Sequence, residues 1–92
     1  MYIKSEIITT RVIFKTTPKR NGDVDVIAFL LDCPANPNWV LSYMHVGQHG
    51  EASNDFFREC TLATPKQYAD LKAELEWLGY DLQVRKHWVL TR

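Results

Sequence analysis

One segment of the chain carries helix signals at both of its ends, and it restricts what the remaining residues can fold into. Thr64 stands at an N-cap position, Pro65 follows at the first helical position, and Gln67 completes a capping box. Gly79 stands where a left-handed residue commonly ends a helix. The apolar residues between these ends repeat at helical spacing and form one stripe: Tyr68, Leu71, Leu75 and Leu78. The pattern predicts a helix over residues 64–78.

The other periodic segments are typical of β-strands. Apolar and β-branched residues alternate with polar ones over residues 6–15, 39–46 and 80–90. Residues 24–31 are almost continuously apolar, which indicates a central strand buried on both faces. Residues 55–63 alternate more loosely and predict a short additional strand.

These elements predict a single α+β domain over residues 1–92. Its antiparallel sheet has four to five strands, and the one helix packs on one face of that sheet. The order along the chain is strand, strand, strand, short strand, helix, strand. A chain of 92 residues rarely divides into two hydrophobic cores.

Composition excludes several protein classes. No apolar run approaches the roughly 20 residues of a membrane-spanning helix, and the first ten residues lack the apolar core of a secretion signal. Cys33 and Cys60 are the only cysteines, and their spacing matches no disulfide framework. We therefore expect two buried thiols in a cytoplasmic protein.

The segment 45–53 is the principal candidate for a functional surface. It is interpreted as a polar loop that follows the third strand, and glycines at positions 47 and 50 allow its backbone to approach a partner closely. It carries more hydrogen-bonding side chains than a turn requires. The candidate binding residues in it are His45, Gln48, His49, Glu51 and Ser53.

Trp77 is a second candidate, because it lies away from the apolar stripe of the helix. A tryptophan off the core face often anchors an interface. The alternative is that a loop or the C-terminal segment folds over its ring.

Two chemical alternatives use the same polar segment. His45 and His49, with Cys33 or Cys60, are metal-ligand types, but residues four apart in a strand are separated by about 13 Å. His49 together with Ser53 and Asp55 has the residue types of a hydrolytic triad, yet such triads assemble from distant segments. Neither spacing favours catalysis, and no metal or cofactor is expected.

The distribution of charge offers a third alternative. Formal net charge is zero, but residues 1–20 carry five Lys or Arg and one acid. If the first and last strands are neighbours, their basic residues form one patch that contacts nucleic-acid phosphates. The residues of this patch are Lys4, Arg11, Lys15, Arg85 and Lys86.

Two stretches of the sequence resemble those of small uncharacterised proteins from phages and other mobile genetic elements. The first is YMHVGQHG over residues 43–50, and the second is ATPKQYADLKAELEWLGY over residues 63–80. The resemblance spans roughly residues 23–84 and is specific in its His–Gln–His part. It implies a cytoplasmic protein that acts inside a bacterial host, and it implies no mechanism.

We therefore expect a non-catalytic binding module that contacts a protein partner through residues 45–53. A homodimer is one form that this contact can take. Nucleic-acid binding through the basic strands and a small metal-dependent or nucleophilic enzyme at His45 and His49 are the alternatives.

Overall fold

The computed structural model describes residues 9–19, 22–33, 35–44 and 48–87. Within these ranges the chain forms a six-stranded sheet and two helices, so the α+β prediction is confirmed. In chain order the elements are β1 (Thr9–Thr16), β2 (Val26–Leu30), β3 (Trp39–Met44), β4 (Gln48–Ser53), α1 (Asn54–Glu59), β5 (Thr61–Leu62), α2 (Pro65–Trp77) and β6 (Asp81–Val84).

The sheet runs in the order β4-β3-β2-β1, and two short strands share the outer edge of β1. Strand β5 pairs antiparallel with the C-terminal end of β1, at Lys15 and Thr16. Strand β6 pairs parallel with the N-terminal half of β1, from Thr9 to Val12. The first and last predicted strands are therefore neighbours, which is the condition that the basic patch requires. The parallel direction of β6 corrects the expectation of a wholly antiparallel sheet.

Helix α2 has the predicted boundaries because its signals are local. Thr64 accepts the backbone N–H of Gln67, and the Gln67 side chain accepts the backbone N–H of Thr64 at 2.8 Å. Beyond the helix Gly79 adopts φ +114°, as expected of a left-handed terminating residue. Leu71 and Leu75 are buried on the helix face that meets the sheet.

The sheet is covered on both faces, because the alternating side chains of its central strands point to two separate cores. On one face, Phe14, Ala28 and Leu30 pack beneath α2. On the other, Ile13 and Phe29 pack with Phe57 of α1. Strand β2 is therefore buried on both faces, as its continuous apolar run predicts.

The prediction of a strand over residues 55–63 was wrong. Residues 54–59 form helix α1, because the Ser53 side chain caps its N-terminus by accepting the backbone N–H of Phe56 at 3.0 Å. Only Thr61 and Leu62 are extended. The sheet consequently carries a helix on each face, rather than the one helix that the sequence predicted.

The interpretation of residues 45–53 as a loop was also wrong for its described part. Residues 48–53 form β4, which pairs with β3 over its whole length without a bulge. Cross-strand pairing with β3 overrides the weak strand preference of a segment that contains Gly50. His45 and Trp88 lie outside the described residues. In the described part of the chain, no helix is long and apolar enough to cross a membrane.

Candidate binding surface

Strand β4 positions the polar candidates at one edge of the sheet. In its register with β3, His49 lies opposite Tyr43, and Glu51 lies opposite Leu41. Because directly opposed residues share a face, His49 and Glu51 lie on the α2 side of the sheet. Gln48 begins the strand and pairs with Met44.

His49 is exposed and is held in place by two tyrosines. Its Nε2 atom lies 2.9 Å from the hydroxyl oxygen of Tyr80, which follows α2. Its ring packs on that of Tyr43, with the centroids 4.7 Å apart. Burial raises the pKa of Tyr80, so its hydroxyl keeps its proton and can donate a hydrogen bond to the ring nitrogen of His49.

Tyr43 in turn joins the sheet to α2. It is 2% exposed, and its hydroxyl donates a hydrogen bond to Oε2 of Glu74. This hydrogen bond, together with burial, raises the pKa of Tyr43. The contact fixes β3 against the helix, so the surface around His49 has a rigid base.

Glu51 and Ser53 have different environments. The carboxylate of Glu51 is exposed and accepts a hydrogen bond from Nδ2 of Asn36 at 3.0 Å. The hydroxyl of Ser53 is occupied as the cap of α1. Glu51 can therefore contact a partner, whereas the role of Ser53 is structural.

Trp77 is exposed on α2, the helix that covers the face of the sheet on which Tyr43 and His49 lie. Its side chain is 84% exposed, so neither a loop nor another described segment covers it. It lies one helical turn from Glu74, and Glu74 contacts Tyr43 of β3. We call strand β4 together with Trp77 the β4–α2 surface.

The described residues do not bring together the groups that the two chemical alternatives require. They contain no group of three or more His, Cys, Asp or Glu residues that could hold a metal ion. Cys60 lies in the core on the α1 side of the sheet, opposite to His49. Of the proposed triad, Ser53 caps α1, and Asp55 forms an ion pair with Arg58 at 2.9 Å.

Two of the basic candidates are engaged within the protein. Arg11 pairs with Asp32 at 2.7 Å. Lys15 donates to the backbone oxygen of Phe57 at 2.8 Å and lies 3.8 Å from the centre of that ring. Burial lowers the pKa of Lys15, and its ammonium is directed toward Phe57 within the protein.

The other basic candidates lie at the end of the sheet beyond β6. Arg85 donates to the side-chain oxygen of Gln83 at 2.8 Å, and Lys86 is exposed. Lys4 is outside the described residues. Only part of the basic patch that the sequence suggested is thus shown to face solvent.

Sequence reasoning did not identify Tyr43, Glu74 and Tyr80 as neighbours of His49. The three residues come from β3, α2 and the segment after α2, and only the register of β3 with β4 brings them together. No local pattern in the sequence signals that register.

Comparisons with protein-family models, with curated proteins and with solved structures give no match. The functional interpretation of the β4–α2 surface therefore depends on its geometry and chemistry.

Proposed function

We propose that the protein is a binding module without a catalytic role, and that it contacts a protein partner through the β4–α2 surface. The observation that carries this proposal is the 84% exposure of Trp77 on a well-capped helix. An exposed tryptophan leaves a large apolar surface in water, and a partner that covers it removes that surface.

The polar groups of β4 can add specificity to the apolar contact at Trp77. His49 and Glu51 offer a ring nitrogen and a carboxylate from the same face of β4. The contacts of His49 with Tyr43 and Tyr80 order its ring before any partner arrives. A preordered surface loses less conformational entropy on binding, which favours affinity.

Interfaces with this composition depend on a few residues. Tryptophan is enriched among residues whose truncation costs about 2 kcal/mol or more of binding free energy, and polar contacts around it exclude water. Trp77 fits the anchoring position, and His49 and Glu51 fit its polar surroundings.

The proposal can be tested by site-specific photo-crosslinking. A photoreactive amino acid is placed at position 77 or at position 51. The control position is Thr61, an exposed residue of β5 at the opposite edge of the sheet from β4. We expect both test positions to crosslink to the same protein in the cells that produce the chain. The control position should not crosslink to it.

A Trp77→Ala variant supplies a second measurement. Because the ring makes little contact with the core, its removal should shift the melting temperature by less than about 4 °C. Crosslinking from position 51 to the partner should fall about 30-fold, which corresponds to a hot-spot residue. Equal crosslinking from all three positions, or none from positions 51 and 77, would contradict the proposal.

A further inference from the structure

The outer edge of β4 has backbone groups directed away from the sheet. Among the described residues, no strand pairs with this edge. The N–H of Asn54 donates to the carbonyl of Asn38 at 3.0 Å, in the same register as the β3–β4 pairs. Backbone groups of successive residues point to alternate sides of a strand, so those of His49 and Glu51 point outward.

Strand β4 lacks the features that usually protect an exposed edge. Proteins blunt such edges with lysine, proline or a bulge. The sequence of β4, QHGEAS, contains neither lysine nor proline, and its register with β3 is free of bulges. At Gly50 no heavy atom lies within 4 Å of the position that a Cβ would take, so the sheet face at the centre of the strand is open.

We propose that this edge pairs antiparallel with β4 of a second copy of the chain, with Gly50 at the centre. The inference rests on the proposed function, because it assigns a partner to strand β4 of the same surface. In this arrangement His49 of each copy lies opposite Glu51 of the other copy. Each such pair exchanges two backbone hydrogen bonds, because the outward groups of the two residues face each other.

The charges of β4 select this register. A two-fold axis perpendicular to the sheet keeps both α2 helices on one face, and residues of the same face then oppose each other. Centring on Gly50 creates two His49–Glu51 pairs, in each of which an imidazole N–H can donate to a carboxylate. Centring on Glu51 places two carboxylates directly opposite, which destabilises a sheet.

The side chains of β4 can make these pairs without losing their present contacts. The Nε2 atom of His49 contacts Tyr80, which leaves Nδ1 to donate to the carboxylate of the second copy. A carboxylate has about four acceptor sites, so Glu51 can accept from Asn36 and from His49 together.

The dimer has a consequence for the proposed function. Joining two six-stranded sheets at β4 places both α2 helices, which carry Trp77, on the same face of one continuous sheet. The strand pairing uses the backbone edge of β4, so Trp77 and the α2-side face of β4 remain available to the protein partner.

Sedimentation equilibrium of the purified chain tests the inference. A six-residue strand gives a small interface, so the mass should rise from 10.7 kDa toward twice that value between about 1 µM and 1 mM. His49→Glu or Glu51→Lys alone should weaken the dimer about tenfold, because each change affects both symmetric pairs.

The double variant His49→Glu with Glu51→Lys restores opposite charges at both pairs and should recover most of the lost affinity. Glu59→Lys is the matched control, since it reverses the charge of an exposed residue on α1, outside β4. It should leave the dissociation constant within about twofold of the original.

Amide hydrogen exchange of the unmodified chain gives an independent measurement. Raising the concentration should slow exchange at His49 and Glu51, whose N–H groups point outward, and should leave the inward amides of Gly50 and Ala52 unchanged.

A mass of 10.7 kDa at all concentrations would overturn the dimer. If the single charge variants leave the dissociation constant of the dimer unchanged, or if the double variant does not restore it, the proposed pairing is overturned. Crosslinking from position 77 to another protein tests the proposed function separately.

Discussion

The ion pair of Arg11 and Asp32 links strand β1 to the turn after β2. The guanidinium contacts Asp32 through two nitrogens, at 2.7 and 3.0 Å, and the backbone N–H of Arg11 donates to the same carboxylate at 2.8 Å. The side-chain hydrogen bonds of Arg11, followed by the backbone hydrogen bond, lower the pKa of Asp32. The ionised carboxylate therefore favours the folded state.

The sign of this linkage predicts how stability changes with pH. A carboxyl group with a lowered pKa stabilises the fold above its unfolded pKa of about 3.9, and this stabilisation is lost as pH falls through the folded pKa. We expect Asp32→Asn to lower stability at neutral pH and to flatten the dependence of stability on pH between about pH 5 and pH 2. Urea unfolding at a series of pH values measures both effects.

Asp23→Asn is the control for this prediction. Asp23 is also an exposed aspartate and lies in the connection between β1 and β2. Among the described residues, no arginine forms a comparable ion pair with it. Its substitution should leave the acid dependence of the original protein in place. If both variants show the same acid dependence, the Arg11–Asp32 pair contributes nothing measurable.

At the scale of the element, helix α2 depends on its N-terminal cap. Thr64 and Gln67 satisfy each other's backbone N–H groups. Because Pro65 has no N–H, these are two of the three unpaired donors at the helix start. We expect Thr64→Ala to cost about 1 kcal/mol of unfolding free energy, and Thr64→Ser to retain most of it. Denaturant unfolding measures the difference.

Lys66→Ala is the matched substitution in the same helical turn. Lys66 is exposed and takes no part in the capping box, so the change should stay within about 0.5 kcal/mol. If both substitutions lower the free energy of unfolding equally, the capping box contributes no more to stability than an ordinary exposed residue of this helix.

The elements that the sequence predicts correctly are those whose signals are local, as a comparison of the two helices with strand β4 shows. Helix α2 was predictable because its caps and stripe lie within one segment. Strand β4 was not, since its hydrogen bonds come from β3 and its own residues include Gly50. Helix α1 was missed because Ser53, read as part of a polar loop, caps a helix of only six residues.

The candidate surface was predictable to a similar extent. The position of Trp77 off the apolar stripe follows from helical spacing, and its exposure confirms it. The contact of His49 with Tyr80 joins residues 31 positions apart, and only the assembled sheet and helix create it. Thus the sequence indicated the polar segment, whereas its partners required the fold.

At the scale of the molecule, stability depends on apolar burial on both faces of the sheet. Leu75 is 0% exposed in the core beneath α2, whereas Leu78, one turn later, is 46% exposed. We expect Leu75→Ala to cost about 2–5 kcal/mol, a large part of the roughly 5–15 kcal/mol that stabilises a small domain. Thermal or urea unfolding followed by circular dichroism measures this cost.

Leu78→Ala removes the same atoms from a half-exposed site. It should cost less than about 1 kcal/mol, because water already reaches the side chain and no closed cavity forms. Similar losses at Leu75 and Leu78 would mean that the packing of α2 on the sheet is looser than its contacts indicate.

Because β5 and β6 share one edge of β1, that edge is covered only late in the synthesis of the chain. The partner of Thr9 is Asp81, so β1 leaves the ribosome long before β6 exists to cover it. Until then the N-terminal half of the outer edge of β1 is unpaired, and a nascent chain in that state can pair with another nascent chain. The pairing of β6 with β1 joins distant residues late in synthesis, which favours slow folding. Translation products that stop before β6 keep the unpaired edge and are prone to aggregate.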